Sequence, residues 1–293
     1  MQGALALARG VLHVARQDAT VFVRPYDLDG APLARGFALR EPNGEACGLA
    51  GLAADQDHRL WIGDKLSEAV RSFSLFGRPG ASFAGAKGSA GDARGALSQL
   101  VDLCLVAPEE DVEPWLLVAR GGSRRHAVQF FTQAGRWVAS LRPHGDPLGA
   151  FQDVRAVAGL DRLVFICEGS PGKVQVFRDG EFHYALRVPE RRGVAGEPIA
   201  IAPLSPERLV IACGGEHPAL ILCDGAGRLI RVLAEAGQGL GEVAELIDVA
   251  AEPESSAGEA RIVAMDRDGE RVQVFTLGGR CYGELQELPG RAL

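Results

Sequence analysis

The sequence contains very little lysine and only one asparagine. Lys65, Lys87 and Lys173 are its only lysines, and Asn43 is its only asparagine. The formal net charge is −7, whereas a protein that binds polyanions over a broad face carries a surplus of positive charge. The composition therefore disfavours a nucleic-acid-binding protein.

Paired cysteines and long apolar runs are also missing. No two cysteines form a C-x-x-C pair, and four lie inside short apolar runs, as buried free thiols do: Cys104, Cys167, Cys213 and Cys223. No apolar stretch approaches the roughly 20 residues that a membrane-spanning helix needs. The apolar run 4–8 has no cationic residues before it and is broken by Arg9, unlike a signal peptide. We therefore expect a reduced, cytoplasmic protein without a membrane partner.

Glycine is abundant, with 38 residues, and it punctuates a repeat. A short pattern that ends in glycine recurs roughly every 50 residues. Its copies begin at Val23, Val70, Val128, Val174, Leu220 and Val272. The fourth position of the pattern is aromatic in every copy except the fifth, where it is Cys223. The chain therefore consists of six similar units.

Each unit contains three further apolar runs besides this pattern. The runs are rich in β-branched residues and are separated by Gly, Asp and Pro, which is typical of strands. Four strands in each of six units predict an all-β fold, a six-bladed β-propeller with four antiparallel strands per blade. The predicted blades are approximately 3–40, 49–85, 99–143, 153–189, 198–235 and 245–288, within a single domain of 1–293. Each blade is expected to be complete from its own stretch of chain, so that the ring closes without strand exchange.

The last unit resembles an NHL repeat. Residues 265–275 read MDRDGERVQVF, which is similar to the NHL signature V-A-D-x-x-N-x-R-V-Q-V-F, and Lys173–Phe177 and Trp61–Asp64 match parts of it. The signature Asp is kept in only two units, and its Asn is absent. WD repeats match less well, since no Trp-Asp dipeptide closes a predicted strand. The resemblance implies a six-bladed propeller with a binding face formed by the inter-blade linkers and the loops between second and third strands.

Charged side chains on that face are the candidate ligand-binding residues. The second-to-third strand loops are predicted to carry Arg16, Asp64, Arg120, Arg124, Arg125, His126, Glu168, His217 and Asp266. The basic members in the third unit, with Arg191 and Arg192 on a later linker, form a basic sector opposite acidic Glu242 and Glu245. Such a face would orient a complementary partner. The alternatives are a solvated surface and, for Asp64 and Asp266, a structural brace across the hairpin.

A second candidate site lies at the mouth of the central channel. Alignment of the first strands predicts that Asp102, Arg155 and Asp248 occupy one equivalent position and point into one small volume. Converging charges either neutralise one another or bind a ligand. If a metal binds this protein, Asp102 and Asp248 are its candidate ligands.

These features predict a non-catalytic recognition module that binds a protein, a peptide or a small molecule and needs no cofactor. The alternative is a metal-assisted hydrolase or lyase of the six-bladed propeller type, with a divalent cation at the channel mouth. The sequence shows no H-x-x-x-H spacing and no G-x-S-x-G elbow. Six-bladed lactonases hold a divalent ion with Glu, Asn and Asp, and this chain has a single asparagine to contribute to such a site. RNA-binding relatives rely on a broadly basic face, which this chain lacks.

Overall fold

The computed structural model describes residues 2–40, 43–57, 59–85, 93–107, 112–122, 124–146, 149–190, 196–253, 260–266, 270–285 and 288. These residues form six antiparallel sheets of four strands each, and no helix occurs among them. The predicted fold class, a six-bladed β-propeller, is confirmed. Within the same ranges there is no helical segment of the length and apolar character that would cross a bilayer.

The strands follow one another in chain order, four to a blade. Blades one and two contain β1 (Gln2–Ala8), β2 (Val11–Gln17), β3 (Val21–Tyr26), β4 (Phe37–Leu39), β5 (Leu49–Ala54), β6 (Leu60–Asp64), β7 (Ala69–Phe73) and β8 (Pro79–Ala84). Blades three and four contain β9 (Leu100–Val106), β10 (Trp115–Arg120), β11 (Val128–Phe131), β12 (Trp137–Ser140), β13 (Val154–Leu160), β14 (Leu163–Glu168), β15 (Lys173–Arg178) and β16 (Glu181–Arg187). Blades five and six contain β17 (Glu197–Ser205), β18 (Arg208–Gly214), β19 (Ala219–Asp224), β20 (Leu229–Ala234), β21 (Leu246–Ala251), β22 (Arg261–Asp266), β23 (Arg271–Thr276) and β24 (Cys281–Glu284).

The blades form a closed ring around a central channel. In each sheet the strands pair in sequence order, and the first strands of all six blades line the channel. Each first strand contacts the first strand of the next blade, and β21 contacts β1. Among the described residues, blades one and six are each built from their own strands, so closure without strand exchange is confirmed.

The repeated aromatic position supplies the core between the blades. The side chains at this position are at most 2% exposed in every blade: Tyr26, Phe73, Phe131, Phe177, Cys223 and Phe275. They pack within apolar clusters that extend across neighbouring sheets. Burying each large side chain contributes roughly 1.5–3 kcal/mol relative to exposure. The repeat is therefore the packing unit of the ring, and the ring holds the loops and linkers of one face in place.

Candidate functional site

Carboxylates at the ends of second strands hold the linkers that enter their blades. Asp64, at the end of β6, is fully buried, and its Oδ1 accepts the Gly48 N–H at 2.8 Å. Its Oδ2 accepts the Ser67 hydroxyl at 2.6 Å and Arg71 Nε at 2.8 Å. Burial acts to raise the pKa of Asp64, but the bonds from Ser67, Gly48 and Arg71 outweigh it and lower the pKa. Each oxygen of this carboxylate is engaged within its own blade.

The same brace recurs in two other blades. Asp266 Oδ2 accepts the Ala244 N–H at 2.8 Å, and Arg271 Nη2 donates to it at 2.9 Å. Glu168 accepts the Gln152 N–H at 2.9 Å and lies 3.1 Å from Lys173 Nζ. Both carboxylates are at most 1% exposed. Their geometry is that of a structural brace, and it gives a ligand little access.

Blade three reverses the charge of this brace. Arg120 replaces the carboxylate at the end of β10 and is fully buried. Its Nε donates to the Ser98 carbonyl at 3.0 Å, and its Nη2 donates to the Ser98 hydroxyl at 2.7 Å. The linker is therefore held through a carbonyl instead of an N–H. Arg120 does not belong to an exposed basic sector, and the equivalent Arg16 is 6% exposed and lies 3.5 Å from Glu270.

A glutamine on the third strand of three blades pins the linkers a second time. Gln129 Oε1 accepts the Gly95 N–H at 2.7 Å, and its Nε2 donates to the Ala96 carbonyl at 3.0 Å. Gln175 accepts the His144 N–H at 2.8 Å, and Gln273 accepts the Gly241 N–H at 2.8 Å. These glutamines are the second residue of the repeated pattern. Their position in the repeat is visible in the sequence, but their role as linker anchors was not predicted.

Two aspartates at the channel mouth connect neighbouring blades. Asp102 Oδ2 accepts the Val157 N–H of blade four at 2.9 Å. Asp248 Oδ2 accepts the Leu5 N–H of blade one at 2.7 Å. The other oxygen of each carboxylate accepts the N–H of the following residue at 2.8 Å. Gly51 gives Asp102 its space, since a Cβ built there would lie 2.5 Å from Asp102 Oδ1.

The pKa values of these two carboxyls are shifted upward. Burial raises the pKa of Asp248 to about 7, against the lowering by the Leu5 and Val249 N–H groups. Burial raises the pKa of Asp102 well above its usual range, and the nearby Asp248 carboxylate raises it further. A like charge close to a carboxyl disfavours its ionisation, which adds to the effect of burial at Asp102.

Arg155 does not join the two aspartates, so that part of the prediction is wrong. Its Nε bonds Asp153 Oδ2 at 2.9 Å, and its side chain is 54% exposed. A bulge shifts the pairing of β13 with β14 between Val154 and Ala156, which makes Arg155 the extra residue. Equivalent bulges precede Asp102 and Asp248. The true equivalent of the aspartates is therefore Ala156, one residue later than the alignment placed it.

The channel is a small cavity with few metal-binding groups. It has a volume of about 210 Å³ and is lined by all six first strands, including Asp102, Asp248 and Cys104. Among the described residues, no three His, Cys, Asp or Glu side chains come together as a metal site would require. The arrangement offers two carboxylates that already accept backbone N–H groups.

A larger, basic cavity lies at the outer rim of blade three, and we call it the blade-three groove. Its volume is about 690 Å³. The described residues that line it are Arg94, Arg125, His126, Trp137, Val138, Ala139, Ser140, Arg142, Asp146 and Gly149. They come from the linkers on both sides of the blade, the loop between β10 and β11, and the outer strand β12. Among the described lining residues there are thus three arginines and one histidine, but a single carboxylate, that of Asp146.

Fixed contacts position the walls of the groove. Arg94 Cζ lies 5.4 Å from the centroid of the Trp137 ring. Trp137 Nε1 donates at 3.1 Å to the same Gln129 oxygen that accepts the Gly95 N–H. On the other wall, Asp146 Oδ1 accepts the Ala150 N–H at 3.2 Å. Gln129 therefore sets Arg94 and Trp137 side by side.

The structure separates the members of the predicted Arg124, Arg125 and His126 group. Arg124 Nε donates to the Gly121 carbonyl at 2.8 Å, and its backbone pairs with Phe151 in both directions at 3.1 Å. Arg125 and His126 line the groove, and His126 Nδ1 lies 2.9 Å from Ser140 Oγ. Arg124 thus holds the loop against the linker, while its two neighbours face the cavity.

The remaining candidates lie away from this groove. His217 is half-buried on the blade-five loop, and Glu242 and Glu245 are exposed on the linker into blade six. Arg191 and Arg192 lie outside the described residues. Arg94 lines the groove but was not a candidate in the sequence. Its only signal is its position directly before Gly95, the residue that Gln129 anchors.

Comparison with known proteins supports the fold. No protein-family profile and no curated protein sequence matches this chain. Among solved structures, U3-55K matches with a TM-score of 0.58 and 14% identity over 96% of this chain and 80% of that chain. The WD40 repeats of RRP9 match with 0.58 and 15% over 96% and 79%. The WD40 β-propeller domain of Doa1 matches with 0.57 and 12% over 98% and 83%.

Identities this low show a shared fold and nothing more. Two of these matches are WD40 propellers, although the sequence lacks the Trp-Asp signal. The NHL resemblance is not confirmed. The chain is therefore similar in structure to WD40 propellers.

Proposed function

We propose that this protein is a non-catalytic recognition module that binds an acidic segment of a protein partner in the blade-three groove. The observation that carries the proposal is the convergence of Arg94, Arg125 and Arg142 on one cavity of about 690 Å³. Guanidinium groups bind carboxylates with paired, charge-assisted hydrogen bonds. Loops held by a rigid scaffold are also common positions for binding residues.

The floor of the groove favours a peptide over a nucleic acid. Trp137, Val138 and Ala139 offer apolar surface beside the charges, which suits a segment that mixes acidic and apolar side chains. The Trp137 ring is covered by Arg94, and its N–H donates to Gln129. A base would have to displace Arg94 from the ring before stacking on it.

The test is a binding titration with a short fluorescein-labelled peptide of alternating Glu and Val, read by fluorescence anisotropy. The variant replaces Arg94, Arg125 and Arg142 together with Ala. All three side chains are exposed, so the fold should tolerate the change. We expect the variant to bind at least about tenfold more weakly, a difference of about 1.4 kcal/mol. Wild-type affinity should fall as salt rises above about 0.15 M, where the screening length is about 8 Å.

The matched control replaces Arg35, Arg178 and Arg231 with Ala; these residues are also exposed, belong to blades one, four and five, and are not among the described residues that line the groove. It removes the same positive charge from the chain. Because general electrostatic attraction would suffer equally in both variants, the control should keep affinity within about twofold of the wild type. Equal losses in the two variants, or no binding of the acidic peptide by the wild type, would overturn the proposal.

A further inference from the structure

The outer strand of blade three differs from the other outer strands in its lack of protection. Exposed sheet edges are usually blunted by charged residues or proline. Charges or proline occur on four other outer strands, at Pro79 in β8, at Glu181 and Arg187 in β16, at Arg231 in β20 and at Glu284 in β24. β4 has only three residues. β12 reads Trp-Val-Ala-Ser and has neither.

The register of β12 shows which of its backbone groups face away from the sheet. The Leu141 N–H donates to the Val128 carbonyl at 3.0 Å. Hydrogen-bonded and non-bonded pairs alternate along an antiparallel ladder. Gln129 and Ser140, the next pair, are therefore non-bonded, and the Ser140 N–H and C=O point outward. Val138 is the extra residue at a bulge and has no partner across on β11.

Both residues line the blade-three groove, so its floor is a sheet edge with backbone groups available to a fifth strand. The basic side chains flank this edge and do not lie on it. Arg94 stands beside Trp137 at one side, and Arg125 and Arg142 come from the loop and linker at the other. β12 has four residues, a length of about 13 Å.

We infer that the acidic segment binds as an extended strand that adds to the outer edge of β12. The inference rests on the proposed function and names the conformation of the occupant. Backbone hydrogen bonds to the edge would supply affinity, and alternating carboxylates would reach the flanking arginines. A second copy of this chain suits the edge less well, because its own groove would bring like charges together.

The experiment uses the peptide of alternating Glu and Val in two N-methylated forms. One form carries methyl groups on the Glu amides and the other on the Val amides. An added strand directs only one of these two sets toward β12, and a register slip of two residues leaves that set unchanged. We expect one form to bind at least about tenfold more weakly than the parent peptide, and the other to stay within about threefold.

Hydrogen exchange of the Ser140 amide, followed by NMR, is the second measurement. The unmodified peptide should slow this exchange at least about tenfold, whereas the amide of Arg231 on blade five should not change. Binding that depends on the groove arginines but is equally sensitive or insensitive to both methylation patterns would overturn the added strand and leave the proposed function standing. Failure of every peptide to bind would overturn both.

Sedimentation of the protein without peptide tests whether a second copy of this chain binds to the edge of β12 instead. A dimer that dissociates in the Ser140→Pro variant would assign the edge to a second copy of this chain and overturn the inference. Ser140→Pro removes an N–H that β11 does not use, so its circular dichroism and melting should stay close to those of the wild type. The same variant should bind the acidic peptide at least about fivefold more weakly if the peptide pairs with this edge.

Discussion

The Asp248 carboxylate accepts the Leu5 backbone N–H at 2.7 Å, across 243 residues of sequence. This bond joins the last blade to the first. Asp102 makes the equivalent bond to Val157 at 2.9 Å between blades three and four, where the chain itself also connects the blades. The same type of hydrogen bond thus joins blades six and one, which only noncovalent contacts hold together, and blades three and four, which the backbone also connects.

This difference predicts the effect of removing each carboxylate. Asp248→Ala leaves the Leu5 and Val249 N–H groups without their acceptor, at a cost of about 1–3 kcal/mol. Because no peptide bond spans that seam, we expect faster hydrogen exchange in β1 and β21 than in the wild type. The matched variant Asp102→Ala should lose similar stability but leave exchange in β1 unchanged. Equal opening of β1 in both variants would contradict a local role for Asp248.

The raised pKa values predict stability that declines with pH. Burial raises the pKa of Asp248 to about 7 from 3.8, and that of Asp102 is also raised. The protonated carboxyls therefore favour the folded state, and their contribution is full below pH 4 and is lost as pH rises through 7. At about 1.4 kcal/mol per pH unit, Asp248 alone should lower the free energy of unfolding by about 2–3 kcal/mol between pH 5 and pH 8.

Urea unfolding from pH 5 to pH 8 measures this decline, and Asp102→Asn serves as the comparison. The variant removes one of the two carboxyls whose pKa values are raised, so its decline should be about half that of the wild type. Because the two proteins differ at one residue, contributions common to both cancel in the difference. Parallel curves for the two proteins would show that the channel carboxyls do not determine the pH dependence.

Two aspartates that each bond an arginine should differ greatly in their contribution to the free energy of unfolding. Asp64 is fully buried and bonds Arg71 at 2.8 Å, whereas Asp224 bonds Arg228, whose side chain is 83% exposed, at 2.8 Å. Asp64→Ala leaves buried donors unpaired, and we expect it to lower the free energy of unfolding by about 3–5 kcal/mol. Asp224→Ala should have a much smaller effect, because water screens its exposed ion pair with Arg228. Chemical denaturation at pH 7 compares them, and similar losses would mean that Asp64 is not a brace.

The sequence predicted the ring because the repeat is also its packing unit. The aromatic position of each copy is buried between blades, so its spacing revealed six blades directly. The channel site was predicted less well. Arg155 is the bulge residue of β13 and is equivalent to Val101 and Ile247, not to the aspartates, and bulges leave no mark that spacing can detect. The partner of Asp102 is a backbone N–H from another blade, which has no sequence signature.

Only some of the residues that line the groove were candidates in the sequence. Arg125 and His126 lie on a loop that the repeat placed correctly, and both line the cavity. Charge alone did not reveal that the neighbouring Arg120 is buried, since its role depends on the Ser98 carbonyl that it meets. Arg94 lines the groove from a linker whose next residue, Gly95, donates its N–H to Gln129. These positions depend on tertiary contacts, so they cannot be predicted from the sequence alone.

This anchoring predicts that a buried glutamine controls peptide binding from beneath the groove. Gln129→Leu removes the acceptor shared by Gly95 and Trp137, so Arg94 loses its fixed position. We expect at least about fivefold weaker binding of the Glu and Val peptide, together with a stability loss of about 1–3 kcal/mol. Gln273→Leu is the matched control, because Gln273 anchors the linker at Gly241 into blade six. It should lose comparable stability and keep the affinity of the wild type when both variants are assayed well below their melting temperatures. Unchanged affinity in Gln129→Leu would show that Arg94 is positioned without this glutamine, and equal weakening in both variants would trace the effect to general loosening of the ring.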